Sequence, residues 1–99
     1  MAYEMLVGLN VTDDTQYQKY REAMMPILES YGGRFEYDFK ISEVLLSPTD
    51  EPINRIFTIR FANEDNKDRF FFDPTYVQVR DKYFLGAVES TTIIAAYEI

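Results

Sequence analysis

The chain has no cysteine, no histidine and no tryptophan. Without cysteine there are no disulfides, no thiolate nucleophile and no sulfur-ligated metal. Without histidine the commonest general base and the commonest transition-metal ligand are gone. Basic residues are scarce: 10 Lys and Arg stand against 17 Asp and Glu, a net charge of −7. Nucleic acids and anionic membrane surfaces need clustered Lys and Arg, so neither is an expected partner. No apolar run is long enough to span a bilayer. The opening Met-Ala-Tyr-Glu lacks a basic stretch followed by an apolar one, so no signal peptide is expected and a cytoplasmic protein is the default.

What the chain does carry is bulk. Apolar residues are 46% of 99, and eight Tyr and eight Phe let a few positions fill a core. That length allows one domain, residues 1–99, with no second core.

Hydrophobic spacing orders the elements. Tyr3 to Asn10 reads as a strand whose centre, Met5-Leu6-Val7, is apolar on both faces. Asp13 is placed to cap a helix, with Gln16 at capping-box distance. Tyr17, Tyr20, Met24, Ile27, Leu28 and Tyr31 then form one helical face, with Pro26 inside it. Gly32 or Gly33 is expected to supply the left-handed residue that stops this helix. In Arg34 to Leu46, Phe35, Tyr37, Phe39 and Ile41 alternate with polar residues, and a bulge is expected near Glu43 to Leu46. Ser47 to Pro52, with two prolines, is a turn. Asn54 to Phe61 is a third strand. Asn63 caps a short helix, Asp73-Pro74 starts another that Gly86 ends, and Ser90 to Glu98 is the last strand. Strand, helix, strand, strand, helix pair, strand is the ferredoxin-like βαββαβ pattern, an α+β fold with an antiparallel four-stranded sheet.

Helices cover only one face of such a sheet. Met5, Val7, Leu9, Phe57, Ile59 and Phe61 are assigned to it. The other face would carry Leu6, Ile56, Thr58, Thr92, Ile94 and Ala96, a patch too apolar to leave in water. A second copy packed on it, giving a homodimer, is the expected remedy.

Val11-Thr12-Asp13, Tyr17, Tyr20, Pro26, Tyr31-Gly32-Gly33-Arg34-Phe35, and Asp73-Pro74-Thr75-Tyr76 with Arg80 together resemble the domain-of-unknown-function family 1330. The resemblance covers essentially the whole chain. It implies the dimeric α/β-barrel superfamily, in which two ferredoxin-like sheets face each other across a two-fold axis. Asp14 departs from the family pattern where a proline is frequent, as does Phe70-Phe71-Phe72 where Trp or Tyr is frequent. Haem-binding members of the superfamily use a histidine that this chain lacks.

Candidate chemistry is limited to what remains. Asn10, Thr58, Arg60 and Thr92 share the second sheet face. Arg60 there either awaits a carboxylate or enolate ligand or pairs with Glu4 or Glu98. Arg34, next to the double glycine, either binds an anion or satisfies helix-end carbonyls. Among the tyrosines, Tyr20 and Tyr76 are the choices for a functional phenol, against a core role. The acidic pairs Asp13-Asp14, Asp50-Glu51 and Glu64-Asp65 lack calcium-loop spacing and read as caps and turns. The expected ligand is therefore a small anionic or carbonyl compound held by Arg34 or Arg60, with Asn10, Tyr20 or Tyr76 adding hydrogen bonds, and with no metal or cofactor. Three classes stay open: a homodimeric small-molecule-binding protein, a cofactor-independent enzyme on a small carbonyl or carboxylate substrate, and a ligand-free structural or interaction module.

Overall fold

The computed structural model describes all of residues 1–99. Strand β1 (Tyr3–Val11) leads to helix α1 (Asp14–Ser30), then to strands β2 (Arg34–Lys40) and β3 (Arg55–Phe61). Helices α2 (Glu64–Phe72) and α3 (Pro74–Val79) follow. A π-helical turn (Arg80–Phe84) and a last short turn α4 (Leu85–Ala87) run into β4 (Val88–Glu98). The strands form one antiparallel sheet in the order β2-β3-β1-β4. This is the expected ferredoxin-like α+β topology. The expected barrel is not there. The sheet is open: β2 pairs only with β3 and β4 only with β1, so both are free edges. Closing a sheet into a barrel takes about eight strands, and this chain has half that number.

Local chemistry starts and stops the helices. Asp13 accepts the amide of Gln16 at 3.0 Å and caps α1. Asn63 accepts the amide of Asn66, and Asp73 accepts those of Thr75 and Tyr76, ahead of Pro74 in the first turn of α3. At the end of α1, Gly32 N–H donates to Glu29 O and Gly33 N–H to Leu28 O, both at 2.9 Å. With Gly32 at φ 72°, this is a Schellman cap. Gly33 plays a different part, since a Cβ there would strike the Leu28 side chain.

The core lies between the helices and one sheet face. Val7, Leu9 and Val11 of β1 and Phe57, Ile59 and Phe61 of β3 meet Tyr17, Tyr20, Met24 and Leu28 of α1, Phe70 of α2 and Tyr76 of α3, all buried. The expected faces need two corrections, both caused by bulges. In β2, Phe35 pairs with Ile59 but Tyr37 with Thr58, so Glu36 is an extra residue. Phe35 therefore faces the helices and packs edge-on against Phe57 at 5.2 Å, while Tyr37 and Phe39 stack on the opposite face. In β4, Leu6 pairs with Ala95 but Val7 with Ile93, so Ile94 is extra. Ala96, opposite Met5, lies on the helix side, and Ala95 and Tyr97 take the open face instead. The irregularity expected at Glu43 to Leu46 is no strand at all. β2 stops at Lys40, and residues 41–54 form a loop pinned at its base by Ile41 N–H to Asn54 O, 2.8 Å.

That loop bends over the open face. The Ile53 side chain comes within about 3.0 Å of where a Cβ on Gly8 would be, so any larger residue there would press on Ile53. The loop walls an apolar groove of about 640 Å³ above Ile56, Thr92 and Ile94. Leu45 and Leu46 at its tip are 87% and 94% exposed.

Gly32→Ala should destabilise the protein by about 1 kcal/mol, because alanine resists positive φ. Urea unfolding measures this. Gly33→Ala should cost more, since it overpacks a fully buried leucine. Two neutral substitutions would contradict the cap.

Candidate functional site

The helical layer does not reach the far edge of the sheet. On the helix-facing side, residues of β1 and β3 are almost fully buried, whereas Thr91 and Ile93 of β4 are exposed, Ile93 at 51%. Beneath this uncovered margin lies a cavity of about 90 Å³. Val7 and Leu9 form its floor with Phe57 and Ile59, and α1 supplies Tyr17, Tyr20 and Met24. Phe71, Tyr76 and Phe84 complete the helical wall, and Thr91 and Ile93 border it along β4. Thr91 is the only lining residue that is not aliphatic or aromatic.

The cavity's chemistry rests on tyrosine hydroxyls. Tyr20 and Tyr76 hydrogen-bond oxygen to oxygen at 2.9 Å, and neither hydroxyl has another partner. Two hydroxyls carry two protons, and one O–H···O bond uses one of them. The pair is therefore left with a spare O–H donor. Burial, and then the neighbouring Tyr76, hold the Tyr20 phenol well above its ordinary pKa. Burial likewise raises Tyr76, although the Tyr20 hydrogen bond works against it. Both remain neutral phenols at physiological pH. Asp73 fixes Tyr76 from outside: it accepts the Tyr76 amide at 3.1 Å and the Tyr31 hydroxyl at 2.7 Å. Those bonds, Tyr31's first, lower the Asp73 pKa.

A second polar cluster stands behind the aromatic wall. Arg21 of α1 is buried, donates to the Tyr17 hydroxyl and to Asp38 at 2.9 Å each, and lies 3.7 Å over the Phe35 ring. Arg55 engages both Asp38 oxygens at 2.8 Å, a fork-to-fork pair. The Arg21 Nε–H is left without a partner. Burial opposes ionisation of Asp38, but the Arg55 and Arg21 bonds outweigh it and lower the pKa. The bulge at Glu36 makes this cluster possible, since it turns Asp38 towards the helices. Arg21 and Asp38 were not among the candidates read from the sequence. The available signal was Arg21 itself, a cation four residues after Tyr17 and three before Met24, in the middle of the apolar stripe.

The five sequence candidates do not converge. Tyr20 and Tyr76 meet in the cavity. Arg34 and Arg60 lie across the sheet, on the open face. Arg60 Nε donates to Glu4 at 3.2 Å, and Arg34 donates to Glu36 at 2.6 Å. Glu4 also accepts the Tyr97 hydroxyl. Asn10 sits farther along β1, 3.4 Å from both Glu89 and Asn54. No three carboxylates gather where they could hold a metal ion, and no helix is long and apolar enough to cross a membrane.

These features define a class: a ferredoxin-like α+β domain with a small aromatic cavity between its sheet and helices. The chain belongs to the family described as Domain of unknown function (DUF1330), whose model matches residues 2–97. No curated protein matches it. Among solved structures, a protein of unknown function from Rhodopseudomonas palustris superimposes with a TM-score of 0.83 at 19% identity, covering 99% of this chain and 82% of that one. A hydroxynitrile lyase from Passiflora edulis matches at 0.69 and 11% identity, over 99% and 93% of the two chains. A dimeric ferredoxin-like protein of unknown function from Jannaschia sp. CCS1 matches at 0.61 and 13%, over the full length of both. At these identities the likeness is one of fold.

Asp38→Asn should destabilise the protein by about 2 kcal/mol near neutral pH, because the two guanidinium groups lose their shared anion. The Asp38 pKa is lower folded than unfolded, so its contribution is complete above the unfolded value of about 3.9 and is lost as pH falls through the folded value. The gap in melting temperature between wild type and Asp38→Asn should stay level from pH 8 to 5 and shrink below about 4. A gap that widens in acid would contradict the assignment.

Proposed function

We propose that the protein binds a small, uncharged carbonyl compound in the cavity beneath β4, with its oxygen accepting the spare hydroxyl proton of the Tyr20–Tyr76 pair. The observation that carries this reading is the pair itself: an unused O–H donor in a lining that is otherwise aliphatic and aromatic. A buried donor without an acceptor is costly, and a ligand carbonyl relieves it. A charged ligand would lose its hydration without gaining a counter-charge. This favours the carbonyl side of the sequence expectation over the anionic one, since Arg34 and Arg60 lie on the other sheet face with carboxylate partners.

Size narrows the class. An apolar cavity of about 150 Å³ holds benzene, so about 90 Å³ holds a smaller group, such as a three-carbon ketone. Longer substituents have a way out along Thr91 and Ile93. Binding is favoured over catalysis by the lining. Its only titratable groups are three tyrosines, each with its pKa raised, and no carboxylate is present to act as a base.

The working unit is a homodimer joined through the open sheet faces. Tyr37, Phe39, Ile94 and Tyr97 are all exposed there, at 63%, 51%, 46% and 39%, beside Leu6 and Ile56. Covering this face would bury upwards of ~1,000 Å², the range of a specific interface.

Calorimetric titration with acetone tests the ligand reading. Wild type should bind it better than isobutene, its hydrocarbon isostere, and the double variant Tyr20→Phe/Tyr76→Phe should lose roughly tenfold of that preference, the worth of one hydrogen bond, whereas either single variant keeps one free hydroxyl proton. Equal binding of ketone and hydrocarbon would overturn it. For the assembly, sedimentation should give a dimer for wild type and a folded monomer for Phe39→Asp. Phe39 is half-exposed in the single chain, so the substitution spares the core. A wild-type monomer at micromolar concentration would contradict the dimer.

A further inference from the structure

α3 gives way to a π-helical turn at Arg80–Phe84 before α4. A π turn inserts an extra residue into the helical repeat and shifts the side chains that follow, and such turns recur at functional sites. Here the residue closing the turn is Phe84. Its ring lies 4.9 Å from the Tyr20 ring and 6.5 Å from that of Tyr17, and it lines the cavity. It is half-buried, with Leu85 exposed and Gly86 in open space just beyond it. Phe84 thus packs on two of the cavity's own tyrosines and is followed in the chain by exposed residues.

We infer that Phe84 is the size-determining residue of this site: its ring, set by the π turn, limits the enclosed part of a ligand to less than a six-membered aromatic ring. The inference rests on the reading of the cavity as a ligand site, but it concerns shape alone and does not depend on the hydroxyl donor. Three features support it. Of the aromatic lining residues, Tyr17, Tyr20 and Tyr76 are tied by hydroxyl hydrogen bonds, and Phe35 is clamped between Arg21 and Phe57. Phe71 packs edge-on against both Phe70 and Tyr76. Phe84 has neither a polar tether nor an aromatic partner outside the two tyrosine rings it covers. Removing or enlarging it changes the cavity with the least disturbance elsewhere.

The test uses benzene, which has no acceptor and so reads volume only, with binding followed by ligand-observed NMR. Wild type should bind benzene weakly, and Phe84→Ala should gain at least tenfold. Phe84→Leu should fall between them, and it covers the case in which alanine loosens the fold. Phe84→Trp should reduce acetone binding at least tenfold while the melting temperature stays within a few degrees of wild type. Benzene binding that is equal in wild type, Phe84→Leu and Phe84→Ala would overturn the inference, as would undiminished acetone binding by Phe84→Trp. The ligand reading fails by a different sign: ketone and hydrocarbon of one size binding alike to wild type, whatever stands at position 84.

Discussion

The helical layer of this protein is narrower than the sheet it covers, and most of the architecture follows from that mismatch. α1 and the α2–α3 segment bury most of one face of β1 and β3. They leave Thr91, Ile93 and Ala96 of β4 exposed and the entire opposite face without helices. Where coverage thins, above Thr91 and Ile93, the core opens into a small cavity. Where it is absent, aromatic and branched side chains stand in water. Both are apolar surfaces that a hydrophobic accounting leaves unsettled, one the size of a few carbon atoms and the other the size of an interface.

The two faces differ in how they treat polar groups. On the open face each arginine has a carboxylate: Arg60 with Glu4, Arg34 with Glu36. These pairs retain solvent contact and contribute little beyond orientation. On the helix side the polar groups are enclosed. Arg21 is held by Asp38, Tyr17 and the Phe35 ring, and the two hydroxyls of Tyr20 and Tyr76 have only each other. An incompletely used donor in such a setting is a stronger pointer to a ligand than a satisfied ion pair, because the protein itself supplies it no acceptor.

Much of the fold was legible in the chain. Asp13, Asn63 and Asp73 announced helix starts by side-chain chemistry alone, and the double glycine announced the Schellman cap. The bulges were not legible. Phe35, Tyr37 and Phe39 alternate so regularly with polar residues that they read as one face, yet the extra Glu36 divides them between two. A bulge leaves no mark on a period-two pattern when aromatic residues flank it on both sides. The same slip at Ile94 moved Ala96 to the helix side. The slip at Glu36 explains why Asp38 escaped notice: alternation placed it on the open face, and the bulge brought it to Arg21 and Arg55. Of the candidate residues, Tyr20 and Tyr76 lie 56 positions apart, and their meeting depends on how α3 packs on α1, which spacing does not encode. Arg34, Arg60 and Asn10 were grouped with them by chemical type, but the sheet itself separates the two sets.

The central claim is that the margin along β4 leads to a site built around the Tyr20–Tyr76 pair. Methyl-resolved NMR of the wild-type protein titrated with acetone tests it most directly. Saturable shifts are expected at Ile59, Met24, Val7 and Leu9, which line the cavity, with Leu45, Leu46 and Ile56 on the open face unmoved. Shifts confined to the open-face residues, or none at millimolar ketone, would contradict it.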